Sequence, residues 1–139
     1  MEHLFEYYNT FLWVMSAIAI FVFVALQFFE AGYGYLFDRR YGPPVPNKIG
    51  WVLMESPVFV AMAALWSMSE RQWDVVPLVL FALFQLHYFQ RSFIFPLLMR
   101  GNSKMPLGIV LMGITFNTLN ALMHGCWRFF PATDDHYAD

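Results

Sequence analysis

The chain has 139 residues, 59% of them hydrophobic and 20% aromatic, and only 13% charged, where a soluble domain carries about a quarter charged residues. A domain this small has one core and cannot hide so much apolar surface from water, so the composition excludes an ordinary soluble globule and calls for lipid as solvent. The formal net charge of -2 and pI near 6.0, without a basic stripe, exclude nucleic acid as a partner.

The N-terminal residues Glu2, His3 and Glu6 are the wrong flank for a cleaved signal, so the apolar run behind them reads as a retained helix. Residues 11–29 contain no charge and are interrupted only by Ser16 and Gln27. At about 1.5 Å per residue they cover roughly 28 Å, the hydrocarbon thickness of a bilayer. A loop over 31–48 follows, rich in Gly and Pro and holding Asp38, Arg39 and Arg40. The second span, about 49–68, contains Glu55 and Pro57. A tight turn at 69–74 leads to the third, about 75–99, with His87, Tyr88 and Arg91. A further turn at 100–105 precedes the fourth, about 106–130, with Asn117, Asn120 and His124. Prolines 57, 77 and 96 do not veto helices, since neighbouring groups in a membrane bundle satisfy the freed carbonyls. The acidic tail after Pro131 reads as disordered.

The expected fold is therefore all-α, a polytopic membrane helix bundle, with residues 1–139 forming a single transmembrane domain of four spans. Arg39, Arg40 and Lys48 in the first loop and Arg100 and Lys104 in the third outnumber Arg71 and Arg128 on the other side. The positive-inside rule puts loops one and three in the cytoplasm and the N-terminus on the non-cytoplasmic side. Cys126 is the sole cysteine, so no internal disulfide is possible, and no metal-ligating cluster is expected.

An ionisable side chain inside a span is costly unless it is paired or faces a cavity, so each one is a candidate for function. Glu55, about two turns into its span and two residues before Pro57, is expected either to hydrogen-bond a hydroxyl or to pair with an Arg and hold helices together. His87 and Tyr88 lie one turn from Arg91, at i, i+4 and i, i+3, and project to adjoining faces. Tyr88 sits too near mid-span to be an interfacial anchor. His87 and Arg91 are divided evenly between structural and functional roles. Asn117, Asn120 and His124 make one stripe, for which interhelical hydrogen bonding is the simpler account. An acid on one helix and a phenol on the next suit polarisation of a ketone oxygen in an apolar ligand, such as an enone awaiting hydride. Their depths differ by roughly 6 Å, a gap that tilt or a kink at Pro57 or Pro96 must close.

Two blocks carry a resemblance. One is Gly-Trp-Val-Leu-Met-Glu-Ser-Pro-Val-Phe at 50–59. The other is Leu-His-Tyr-Phe-Gln-Arg-Ser-Phe-Ile-Phe-Pro-Leu-Leu-Met-Arg-Gly at 86–101, continued by Lys-Met-Pro at 104–106 and Asn-Thr-Leu-Asn at 117–120. These resemble the N-terminal half of the steroid 5α-reductases (3-oxo-5α-steroid 4-dehydrogenases). The resemblance implies a seven-helix membrane enzyme of the endoplasmic reticulum or bacterial inner membrane that uses NADPH to reduce the C=C bond of a lipophilic enone, such as a 3-oxo-Δ4-steroid. It implies that Glu55 and Tyr88 are catalytic and hold the ketone oxygen, with Tyr88 as electrophile and proton donor. Trp51, Met54 and Asn120 then belong to the substrate pocket, and Arg91 and Arg100 to the cofactor end. Met54 stands where many members have Gln, which removes one hydrogen bond to the ketone. No phosphate-cradling Gly-rich segment occurs, and only four of seven expected helices are present. The chain is therefore expected to be a fragment or one piece of a split enzyme, inactive without the missing C-terminal helices. A non-catalytic four-helix scaffold or transporter subunit is the alternative.

Overall fold

In a computed structural model of the chain, residues 2–28 and 37–129 are described. The acidic tail, Phe29 at the end of the first expected span and the start of the first loop lie outside those residues. The described residues fall into two units, 2–28 and 37–129, each treated by itself.

The first unit is one helix, α1 (Glu2–Ala25), continued by a turn to Phe28. Its apolar stretch, Tyr7–Ala25, is long enough to cross a bilayer. It starts four residues before the expected span because Tyr7, Tyr8, Asn9 and Thr10 extend the helix into the interface, where aromatic and small polar residues are at home. The helix is apolar round its whole circumference, as lipid requires.

The second unit opens with a tight turn, Arg39–Tyr41, capped by Asp38, whose carboxylate accepts from the Arg40 N–H at 2.8 Å and from the Arg40 side chain at 2.7 Å. That bonding with Arg40 holds the Asp38 carboxyl below its usual range. Strand β1 (Pro44–Pro46) pairs antiparallel with β2 (Lys104–Pro106), with Val45 opposite Met105. The third loop, expected as a plain turn, is thus half of a short ribbon. Alternating prolines make that pattern easy to miss. The Asn47 N–H donates to the Ser103 carbonyl at 3.0 Å and the Leu107 N–H to the Pro43 carbonyl at 2.9 Å, extending the pairing at both ends.

The ribbon has a large consequence for which helices become neighbours. It delivers α2 (Asn47–Ser67) and α5 (Leu107–Phe129) side by side from the same end, and at the opposite end the Ser69 hydroxyl donates to the Phe129 carbonyl at 3.0 Å. The two helices therefore run parallel along their whole length. Their interface holds the core: Val58 and Met62 from α2, Val110 and Ala121 from α5, all at most 1% exposed. Gly113 and Gly125 bring the backbones together, since a Cβ at Gly113 collides with the Met54 side chain and one at Gly125 meets Leu65.

Running back against α2, α3 (Val75–Phe89) passes through a wide π turn, Gln90–Ile94, into the short α4 (Phe95–Leu98). The sequence predicts one unbroken helix over 75–99. The reason for the wide turn is Pro96, which has no N–H to give, and the Phe95 N–H reaches back five residues to the Gln90 carbonyl. α2, by contrast, continues through Pro57. At the end away from the ribbon the Trp66 ring stacks on Phe81, centroids 4.5 Å apart, and its Nε1 donates to the Gln72 carbonyl at 3.0 Å. Such an aromatic layer, polar at one edge, belongs at a membrane surface. Among the described residues, four stretches, Tyr7–Ala25, Asn47–Ser67, Val75–Leu98 and Leu107–Trp127, are long and apolar enough to span a bilayer. The protein is an all-α integral membrane protein with a minimal ribbon.

Candidate functional site

Between α2, the α3 π turn and α5 lies a cavity of about 380 Å³ whose wall includes Trp51, Met54, Glu55, His87, Tyr88 and Arg91. That volume suits a compact apolar ligand or the ring end of a larger one, toward the lower end of the ~300–1,000 Å³ usual for small-molecule sites. Glu55 lies eight residues into α2 and Asn117 ten into α5. These positions put the polar wall about 12–15 Å from the ribbon end, close to mid-bilayer. The depth gap between acid and phenol shrinks to about 3 Å, because α2 starts at Asn47 and the wide turn shortens the rise beyond Tyr88.

Glu55, with only 4% of its side chain exposed, is held from two sides. The Arg91 guanidinium lies 2.8 Å from one carboxyl oxygen, and the Asn117 Nδ2 donates to the other at 3.3 Å. Asn117 Nδ2 also donates to the Met54 carbonyl at 2.7 Å, in the turn just before Pro57, where α2 gives up a backbone bond. Both carboxyl oxygens accept, so Glu55 is built in as an acceptor. Pairing with an arginine is one of the two roles the sequence allows for Glu55, and the wide turn brings Arg91 within reach of α2 to fill it. Arg91 also lies over the Trp51 ring, 5.4 Å from its centroid, and Trp51 is braced edge-on by Phe95 at 5.3 Å.

Tyr88 projects into the same cavity from α3. Its ring packs against Phe84, centroids 4.5 Å apart, and edge-to-face on His87 at 5.1 Å. Its hydroxyl oxygen lies 3.1 Å from the Asn120 Nδ2. The α5 stripe therefore divides its work, with Asn117 reaching α2 and Asn120 reaching α3, while His124 faces Phe84 at 6.4 Å.

Of the residues singled out from sequence, the structure gathers Trp51, Met54, Glu55, Tyr88 and Arg91 round one space. Asn120 stands behind Tyr88 instead of lining the cavity. Arg100 is exposed beyond the end of α4 and is not part of the cavity wall. Gly113, Asn117 and Met105 line the cavity without having been assigned to the pocket. The signal for Asn117 was present in its i, i+3 spacing from Asn120. Met105 offered none, because only the ribbon tucks it under the helices.

The wall has a poor fit to a dinucleotide's phosphates. Among the described residues its one permanent cation is Arg91, already engaged by Glu55. The space matches a ring system, and the cations of the ribbon end lie elsewhere.

A membrane helix bundle enclosing a phenol, a buried carboxylate and a guanidinium round an apolar cavity defines a class: a polytopic membrane protein built to receive a lipophilic molecule with one polar end. No family model matches the chain. It is 32% identical over 122 residues to the steroid 5-alpha-reductase DET2 of Arabidopsis thaliana, covering 84% of this chain and 44% of that protein. It is 33% identical over 113 residues to 3-oxo-5-alpha-steroid 4-dehydrogenase 1 of Mus musculus, covering 76% and 42%. With 3-oxo-5-alpha-steroid 4-dehydrogenase 2 of Homo sapiens the identity is 34% over 98 residues, covering 68% and 38%. The chain is a homologue of the steroid 5α-reductases, as its two sequence blocks indicated, and it spans about half the length of the curated relatives it matches.

Proposed function

We propose that this chain forms the carbonyl-binding part of a membrane reductase that saturates the C=C bond of a lipophilic enone, a 3-oxo-Δ4-steroid being the type substrate. One observation carries this reading: the Tyr88 phenol faces an apolar cavity at mid-bilayer depth in which, among the described residues, the carboxylate of Glu55 and the guanidinium of Arg91 are paired with each other. The names of the homologues point to the same chemistry.

Tyr88 donates a hydrogen bond to the ketone oxygen. As the enone takes up hydride at its β-carbon, electron density moves onto that oxygen, and a fixed donor in a water-poor site stabilises it, typically by a factor of about 10²–10³. The α-carbon of the resulting enolate then takes a proton from solvent water, giving the saturated ketone and leaving hydroxide to the bulk. Glu55 keeps Arg91 against the cavity, so that the guanidinium offsets both the carboxylate and the charge growing on the ligand. Trp51 and Met54 wall the apolar body of the substrate. NADPH supplies the hydride when bound. Given the poor fit of this cavity to phosphates, the cofactor's phosphates are held outside this wall. The basic ribbon end faces the cytoplasm.

The test is NADPH-dependent reduction of a 3-oxo-Δ4-steroid in membranes expressing the reading frame that encodes this chain. Tyr88→Phe is expected to lower turnover at least ~100-fold with unchanged expression. Full activity in Tyr88→Phe membranes would refute the assignment.

A further inference from the structure

We infer that Asn120 is a positioning residue that fixes the Tyr88 hydroxyl as a hydrogen-bond donor into the cavity. The inference rests on the reading of Tyr88 as the group that meets the ketone, and it adds what makes that phenol a donor. A phenol has one proton and can either give it or accept another group's. Left alone among helix carbonyls and a carboxylate, the Tyr88 proton has competing acceptors, and a phenol that spends its proton on the protein offers a ketone only repulsive lone pairs. The Asn120 Nδ2 lies 3.1 Å from the Tyr88 oxygen, and an amide nitrogen can only donate. With one lone pair of the oxygen occupied from behind, the proton is directed away from α5. The rest of the phenol is held by rings: Phe84 against its face at 4.5 Å and the His87 edge at 5.1 Å.

The same helix also holds the acid. One turn earlier, Asn117 donates to the Met54 carbonyl at 2.7 Å and to Glu55 at 3.3 Å. The close packing of α5 on α2 at Gly113 prevents this pair of amides from sliding. Asn117 and Asn120 thus act as a two-pronged gauge on one rigid rod, setting where the α2 acid and the α3 phenol stand relative to each other. The ligand chemistry this arrangement selects is a hydrogen-bond acceptor, a ketone in preference to the corresponding alcohol, because the alcohol's own proton gains nothing from a phenol already committed as donor.

The experiment is a double-mutant cycle on the full chain in lipid nanodiscs, with a 3-oxo-Δ4-steroid carrying ¹³C at its carbonyl as probe. Affinity and the isotope-edited infrared carbonyl frequency are read together. In the parent chain the carbonyl band should lie below its position in hydrocarbon solvent, and Tyr88→Phe should remove that shift. Asn120→Leu should weaken binding about 3–10-fold and lose most of the shift in the parent, yet leave affinity unchanged in the Tyr88→Phe background. Asn120→Ser keeps a shorter donor and should retain part of the coupling, which covers the case in which the leucine variant does not fold. Equal losses in both backgrounds, or an unshifted response to Asn120→Leu, would overturn the positioning role while leaving Tyr88 in place. A carbonyl band indifferent to Tyr88→Phe, or no probe binding by the parent chain, would overturn the underlying reading and this inference with it.

Discussion

The two interfaces of α2 are opposites. Against α5 it is dry and close, with Val58, Met62, Val110 and Ala121 buried and two glycines allowing backbone approach. Against α3 and the wide turn it packs through rings, Trp66 on Phe81 and Phe59 on Phe93, and then parts toward the ribbon into a gap lined by Trp51, Glu55, Tyr88 and Arg91. Packing free energy in a membrane comes from close contact between helices, since lipid is as apolar as the side chains and supplies no hydrophobic drive. One interface therefore secures the bundle, and the other can be left as a cavity without loss of the fold. The polar groups sit where the ligand goes, and Glu55 and Tyr88 are each held from the tight side by an asparagine of α5.

This contrast can be broken most directly at Gly113. Gly113→Ala forces the Met54 side chain aside, with an overpacking cost of about 2–3 kcal/mol in thermal unfolding in detergent. Because Met54 also lines the cavity, ligand affinity should fall with stability. Next comes Arg91→Met, which strands Glu55. Breaking a fully buried pair costs ~3–5 kcal/mol, but Arg91 is 44% exposed, so about 2 kcal/mol is expected by the same assay. Gln85 sharpens the comparison from the loose side. Its amide donates to the Phe59 carbonyl at 3.3 Å, but its buried Oε1 has no partner. Gln85→Leu should change stability by less than about 0.5 kcal/mol, since the gain and the unmet acceptor nearly cancel.

The smallest effect is at the ribbon end. Asp38 is held below its usual carboxyl range by the side-chain bond from Arg40 first and the Arg40 backbone N–H second. A depressed folded value means its contribution is complete above the ordinary value near ~3.9 and fades as pH falls through the lowered one. The Arg40 amide chemical shift in an acid titration should therefore move only below about pH 4, and in Asp38→Asn it should not titrate at all.

The sequence by itself determined the solvent, the number of spans in this chain and the identity of the polar residues at depth. These depend on counting apolar residues against bilayer thickness and on the cost of an ionisable group in lipid, both local properties. The resemblance of the blocks around Glu55 and Tyr88 was equally legible, because it lies in residue order. Tertiary structure alone decided who partners whom. That Glu55 meets Arg91, that Asn120 stands behind Tyr88 and that Arg100 is not part of the cavity wall follow from the ribbon, which sets α2 beside α5, and from the wide turn before Pro96, which sets the facing of Arg91. Helical periodicity predicts faces only while the turn keeps about 3.6 residues, and a three-residue strand bounded by prolines has no periodicity to read.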